Sequence, residues 1–509
     1  MSSTRMPAPP VVAIAIDAAE GRVIQRLAVE GRLPALARLF ASGRCGTVRA
    51  PADIGSGAVW PTFTTGDPPD RHGIFGEYSW DAAGMTLRRP TFDHLDPFWR
   101  RLAESGRRVT VVDVPFAPVL GHERLVEIAD WGAHDWFGGA PVVRPPEVEA
   151  ALTGLLTPRH PLVAGPIDAG GPGDVDGLTH LVRALIAGAR QRGALVERLL
   201  EIAPADLLLV VFTEAHRASH LLWHTLDTTH PAWREDLGVL PEEVMTGLVD
   251  LFATIDAQVD RIVRRAGDNA PVVVFALHGM QPARGIPAFL NDVLEYWGFA
   301  ARRQWWQQSP PEVAGAALKA LKQRLPASLK AAYYRRVPKS VTFQLAQPSM
   351  PMPPWDWART RAFALPTDQH GWIRVNLEGR EARGSVPASA YEAVCFELKA
   401  RLQALSSDEG PLVHEVVLTA EAAGGPPRWL PDLVVHWTRR TWRPRLRLVD
   451  PPIESTPVGL KFVAQHDEAG FFVGTGGGID LWPDVVDAAA LGARLGEAVE
   501  AVAARSRPG

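Results

Sequence analysis

The sequence predicts an α/β protein with a doubly wound, mostly parallel central sheet, and two observations carry that reading. Short runs that are apolar on both faces recur along the chain, at Val11 to Ile16, Arg107 to Val112, Leu207 to Phe212, Pro271 to Ala276, Trp372 to Val375 and Leu433 to Trp437. Amphipathic stretches such as Gln191 to Ile202 and Glu243 to Ala266 separate several of them. Strands that are apolar throughout are covered on both faces, and helices between them supply the cover. The second observation is where the polar chemistry sits: Asp17, the stretch Glu214 to His220, and His278 each follow one of these runs. In open α/β sheets, ligands bind beyond the carboxyl ends of the strands.

Taken in order, the first run ends abruptly at Asp17 after six residues, too short for the apolar core of a secretory signal, so it is a strand. Between Met280 and Trp355 the pattern changes to a tryptophan pair (Trp305, Trp306), a Lys- and Arg-bearing helical stretch from Pro311 to Tyr334, and proline-rich Gln347 to Pro354. This suggests a mainly helical inserted cap over 281–355, interrupting one discontinuous catalytic domain made of 8–280 and 356–505. An alanine-rich helix, Ala488 to Ala504, covers the sheet at the end.

Composition excludes several function classes. With 46% hydrophobic and 22% charged residues and a net charge of -4, the chain has no basic field for a nucleic-acid polymer. No window approaches the roughly 18 apolar residues of a membrane span. Cys45 and Cys395 are too few for a disulfide framework and form no CxxC pair, which fits a reducing, cytoplasmic location. Gly474-Thr475-Gly476-Gly477-Gly478 is glycine-rich but lacks the lysine of a phosphate-binding loop.

His216 and His220 are the first sign of metal chemistry. They share one face if their segment is helical, and imidazoles with a nearby carboxylate suit zinc, iron or manganese better than calcium or magnesium. Upstream, Ser56 lies between glycines, nine positions before Thr65-Gly66, and His72-Gly73-Ile74 follows. Asp17, Ser56, Thr65-Gly66 and His72-Gly73-Ile74 together resemble the type I phosphodiesterase and nucleotide pyrophosphatase branch of the alkaline phosphatase superfamily, from about Val11 to Gly478. The resemblance implies that Ser56 is both nucleophile and metal ligand. It implies that Asp17 and His278 bind the same ion as Ser56, and that His216, His220 and His466 bind a second.

Two positions depart from the family. His216 stands where it has an aspartate, and Leu277 stands where it has the aspartate of Asp-His-Gly. Glu214, two residues before His216, is the expected replacement carboxylate. The implied cofactors are two divalent transition metal ions, zinc first, with iron or manganese as alternatives. The implied activity is hydrolysis of a small phosphodiester or pyrophosphate by in-line displacement. A sulfatase, phosphonate hydrolase or phosphotransferase of the same superfamily, or a metal-deficient binding protein, are the alternatives. Trp131, His134 and Asp135 form a candidate substrate loop, while His370 and His224 are spare groups for proton transfer or ligation.

Overall fold

The computed structural model describes residues 8–132, 141–157, 160–161, 173–227, 229–230, 232–233, 240–283, 289–304, 349–350, 352–366, 369–408, 410–438, 447–453 and 462–505. The expected runs at 11–16, 207–212 and 272–276 lie side by side at the centre of one large sheet. Its strands are β1 (Val11–Ile16), β2 (Arg44–Arg49), β3 (Val109–Val112), β4 (Leu125–Ala129), β5 (Val142–Arg144), β6 (Leu207–Phe212), β7 (Val272–Ala276), β8 (Ala469–Thr475) and β9 (Val485–Asp487). Their spatial order is β9-β2-β8-β7-β1-β6-β3-β4-β5. Only β8, against β2 and β7, and β5, against β4, pair antiparallel.

Every residue of β1, β6 and β7 is buried, and the two-residue period divides them between two cores. Val12, Ile14 and Ile16 pack with Leu208, Val210 and Phe212 under the helices Val175–Ile202 and Gly247–Ala266. Val11, Ala13 and Ala15 pack with Leu207, Leu209 and Val211 under Val59–Thr65 and Ala488–Arg505. Helix Gly247–Ala266 shows why it folds so: Leu248, Leu251, Phe252, Ile255, Val259 and Ile262 recur at helical spacing and are buried. On the same helix, buried Asp256 accepts the amides of Ala35 (2.9 Å) and Leu36 (2.8 Å), capping the start of helix Pro34–Ser42.

The runs at 372–375 and 433–437 do not join this sheet, contrary to expectation. They belong to a separate antiparallel sheet in the order Ala362–Leu365, Gly371–Val375, Leu433–Trp437, Val413–Leu418, with its own core and the helix Tyr391–Gln403. A buried apolar strand reads the same in either sheet, because its pairing partners are set far along the chain. Of the expected cap, residues 305–348 lie outside the described residues. Its described parts include helix Leu290–Tyr296, which packs with Phe299 and Trp355 into this second core.

Candidate metal centre

The carboxyl ends of the strands converge on one edge of the large sheet. Asp17 follows β1, the helix Glu214–Leu222 follows β6 after Thr213, and His278 lies two residues past β7. Because β8 is antiparallel to β7, its start lies at the same edge. His466 stands just before it on the strand Ala464–Asp467, which pairs with Gly279–Pro282 so that Met280 faces His466. β2 brings the chain to this edge as well, leading into the turn that holds Ser56.

His216, His220 and His466 meet at their ring tips. Their Nε2 atoms are 3.0 Å (216 to 220), 3.2 Å (220 to 466) and 3.1 Å (466 to 216) apart. Neutral rings cannot satisfy such a triangle, since each nitrogen offers one lone pair or one N–H. A shared cation about 2.0–2.1 Å from each nitrogen does satisfy it. The opposite nitrogens set the tautomers: His220 Nδ1–H donates to the Ala464 carbonyl (2.8 Å) and His216 Nδ1–H to Asp17 Oδ2 (3.0 Å). Both leave Nε2 as a lone pair aimed at the centre, the usual outer-shell arrangement of metal-bound histidine. Gln281 steadies His466 through its carbonyl (2.9 Å). Burial, then the neighbouring imidazoles of His278, His220 and His216, push the pKa of His466 well below its ordinary value.

Asp17, His216 and His278 form a second group of converging donors, sharing His216 with the first. Here His278 Nε2 lies 3.8 Å from Asp17 Oδ1, and that oxygen also accepts the Trp60 indole N–H at 3.1 Å. Trp60 lies one turn after Ser56, which opens the short helix Ser56–Ala58, so the serine turn is tied to Asp17. Its two glycines are needed for close approach: a Cβ on Gly55 would fall 2.2 Å from the Phe75 carbonyl, and one on Gly57 2.7 Å from the Gly76 backbone. The Ser56 and His72-Gly73-Ile74 motifs therefore pack through one another. His72 itself braces the fold, its Nε2 on Thr62 Oγ1 (3.0 Å) and its Nδ1 accepting the Ile74 amide (3.1 Å).

The second sheet holds this turn from the other side. Three successive carbonyls each face a ring nitrogen: Ala52 with His370 Nε2 (2.9 Å), Asp53 with His436 Nε2 (2.9 Å) and Ile54 with the Trp372 indole (2.7 Å). His370 thus works on the backbone before Ser56. The roles of His436 and Trp372 were not legible in the sequence, because nothing local links residue 372 to residue 54. Phe462, packed on His220 with ring centroids 4.8 Å apart, was also missed. Its nearness to His466 in sequence was the available signal.

A family model described as type I phosphodiesterase / nucleotide pyrophosphatase matches residues 11–447. The chain belongs to this family. This type I phosphodiesterase relative is therefore a hydrolase acting on phosphoester bonds, within the alkaline phosphatase superfamily. Phosphonoacetate hydrolase from Sinorhizobium meliloti 1021, solved with phosphonoformate, shares its fold at 14% identity, with a TM-score of 0.52 over 98% of both chains. Murine ectonucleotide pyrophosphatase / phosphodiesterase 5, an inactive form with AMP, aligns at 11% identity and a TM-score of 0.45, over 97% of this chain and 95% of that one. No curated protein matches the sequence.

Within this phosphodiesterase family member, the two departures from the family resolve differently. Leu277 is buried in the apolar core beneath the sheet edge. Glu214 is not at the centre. It opens the helix, so it lies about 200° around the axis from His216, whereas His220 lies within about 40°. Its carboxylate is fully buried against Arg192 Nε (3.0 Å) and His160 Nε2 (2.7 Å). Burial raises its pKa, but Arg192 and His160 more than offset this and hold it below the usual carboxylate range. Arg192 also binds Asp113 (2.6 Å), which accepts the Trp131 amide (2.9 Å). Trp131 is thus buried in this network, not lining a cleft, and His134 and Asp135 lie outside the described residues.

Among the described residues, no helix is long and apolar enough to cross a membrane.

Proposed function

We propose that the chain is a metal-dependent hydrolase of a small phosphodiester or pyrophosphate, with Ser56 as nucleophile and His216, His220 and His466 as the principal metal ligands. The observation that carries this is the triangle of Nε2 atoms at 3.0–3.2 Å, a donor set built for a transition metal such as zinc. A bound divalent ion would supply Lewis-acid stabilisation of the charge on the phosphoryl oxygens.

Ser56 Oγ attacks phosphorus, the bond to the leaving oxygen breaks, and the serine proton passes to His278, whose Nδ1 faces the Gly279 carbonyl and leaves Nε2 as the acceptor. Water then cleaves the phosphoserine ester, returning the hydroxyl. The second sheet positions this turn through the carbonyls of residues 52–54, and the Gly55 and Gly57 contacts keep it from sliding. The unpaired cysteines, Cys45 exposed and Cys395 buried, support a reducing, cytoplasmic location.

The test is turnover of bis(p-nitrophenyl) phosphate, p-nitrophenyl phosphate and p-nitrophenyl sulfate by the zinc-loaded full chain and by Ser56→Ala. The diester should be preferred, and Ser56→Ala should lose at least about 10⁴-fold in kcat while keeping its metal. Turnover of the sulfate alone, or full activity in Ser56→Ala, would overturn the assignment.

A further inference from the structure

We infer that this chain binds a single ion, at His216, His220 and His466, and that Asp17 has changed from metal ligand to the carboxylate that orients His216. The inference rests on the three-histidine centre proposed above and departs from the two-ion arrangement that the family resemblance implies.

The geometry of His216 is the first support. An imidazole is longer than the aspartate the family has there, and its two nitrogens face opposite ways. Nε2 reaches the other histidines at 3.0 and 3.1 Å, while Nδ1–H points back to Asp17 Oδ2 at 3.0 Å. An ion held by Asp17, Ser56 and His278 would have to share Asp17 with the His216 ring, whose Nδ1 lies 3.0 Å from Oδ2. Asp17 is the second support. One oxygen accepts the His216 N–H and the other the Trp60 indole N–H, so both oxygens already take part in positioning neighbouring rings.

Charge is the third. The donors available to a second ion retain one carboxylate, Asp17, because Leu277 is apolar and Glu214 is engaged by Arg192 and His160. One dication beside one buried carboxylate leaves a modest net charge. A second dication at this buried position, where Asp17 and His278 are each only 1% exposed, would have Asp17 as its one carboxylate donor in that group. Asp17 is therefore a positioning residue: it fixes the tautomer and tilt of His216 and raises its basicity as a donor.

Metal titration of the stripped full-length protein decides this without reference to activity. Zinc or cobalt(II), followed by calorimetry and by elemental analysis after gel filtration, should saturate at one equivalent, with the absorption bands of four-coordinate cobalt. Two tightly bound equivalents in the unmodified protein would overturn the inference. Asp17→Asn should keep one equivalent, bind it about 10–100-fold more weakly and shift the cobalt bands. If Asp17→Asn instead drops from two equivalents to one and the remaining affinity is unchanged, Asp17 is a ligand of a separate ion and the inference fails. His220→Ala separates this failure from that of the functional proposal. Undiminished metal binding in that variant removes the three-histidine centre itself.

Discussion

Two buried polar clusters in this molecule close their hydrogen bonds in opposite ways. In the smaller sheet, Arg374 meets Glu381 at 2.7 Å, Arg380 grips Asp432 at 2.7 Å, and Trp80 and Tyr391 donate to the same two carboxylates at 2.7 and 2.6 Å. Two cations face two anions, and backbone carbonyls take the remaining guanidinium protons of Arg374. At the edge of the large sheet, three imidazole tips converge, and Asp17 lies against one of them. The first cluster is complete as protein alone. The second gathers three imidazole donors that could hold a cation, and that difference in composition is what sets it apart from the first.

Breaking a member of each cluster should separate them most sharply. Arg374→Met leaves Glu381 short of a partner and should cost about 3–5 kcal/mol in urea unfolding, with metal content per folded molecule unchanged. His466→Ala relieves a crowded triangle and should change the stability of the metal-free protein far less. Zinc at about a hundred times its Kd should stabilise the unmodified protein by about 2.7 kcal/mol and His466→Ala not at all. Equal losses in the two metal-free variants would erase the contrast.

Acid offers a smaller and more distributed test. Burial pulls the pKa of His72 down to about 4 and that of His224 to about 4, and His466 is lowered too. Below the unfolded value of about 6.5 the unfolded chain binds more protons than the folded one, so stability falls as pH drops from 7 toward 4. For His72, whose Nδ1 accepts the Ile74 amide and would have to become a donor, the loss reaches about 3 kcal/mol. His72→Gln should flatten the urea midpoint against pH over that window, and an unaltered profile would assign the acid sensitivity elsewhere.

The smallest effect belongs to the clamp between the two sheets. Trp372→Phe removes the donor to the Ile54 carbonyl and should cost about 1 kcal/mol of stability. It should lower kcat several-fold with unchanged metal affinity, because it loosens the Ser56 turn and leaves the histidines alone. A fall in metal affinity instead would show that the two clusters are coupled through that turn.

How much of this was legible in the sequence follows the same division. β1, β6 and β7 were readable because each is a continuous apolar run, buried end to end. The histidines were readable because each follows a strand or sits at helical spacing, in an order that matched a known family. The antiparallel sheet was not, since Trp372 pairs with Val434 across sixty residues that carry no register signal. Glu214 was misplaced because nearness along the chain does not reveal the face of a helix that begins at that residue. Asp17 was expected at the end of the first strand, where it lies, but its contact with His216 depends on packing across about 200 residues of chain.

Among the described residues, β8 is the only hydrogen-bonded link from β2 and β9 to the remainder of the large sheet, and it lies late in the sequence. During synthesis, about 190 residues separate the emergence of His278 from that of His466, roughly 10–40 s at ordinary elongation rates. Until then the sheet is split and the third imidazole is missing. If the three histidines hold an ion as proposed, capture through all of them follows the emergence of His466 and the pairing of β8, and so belongs to the last stage of folding.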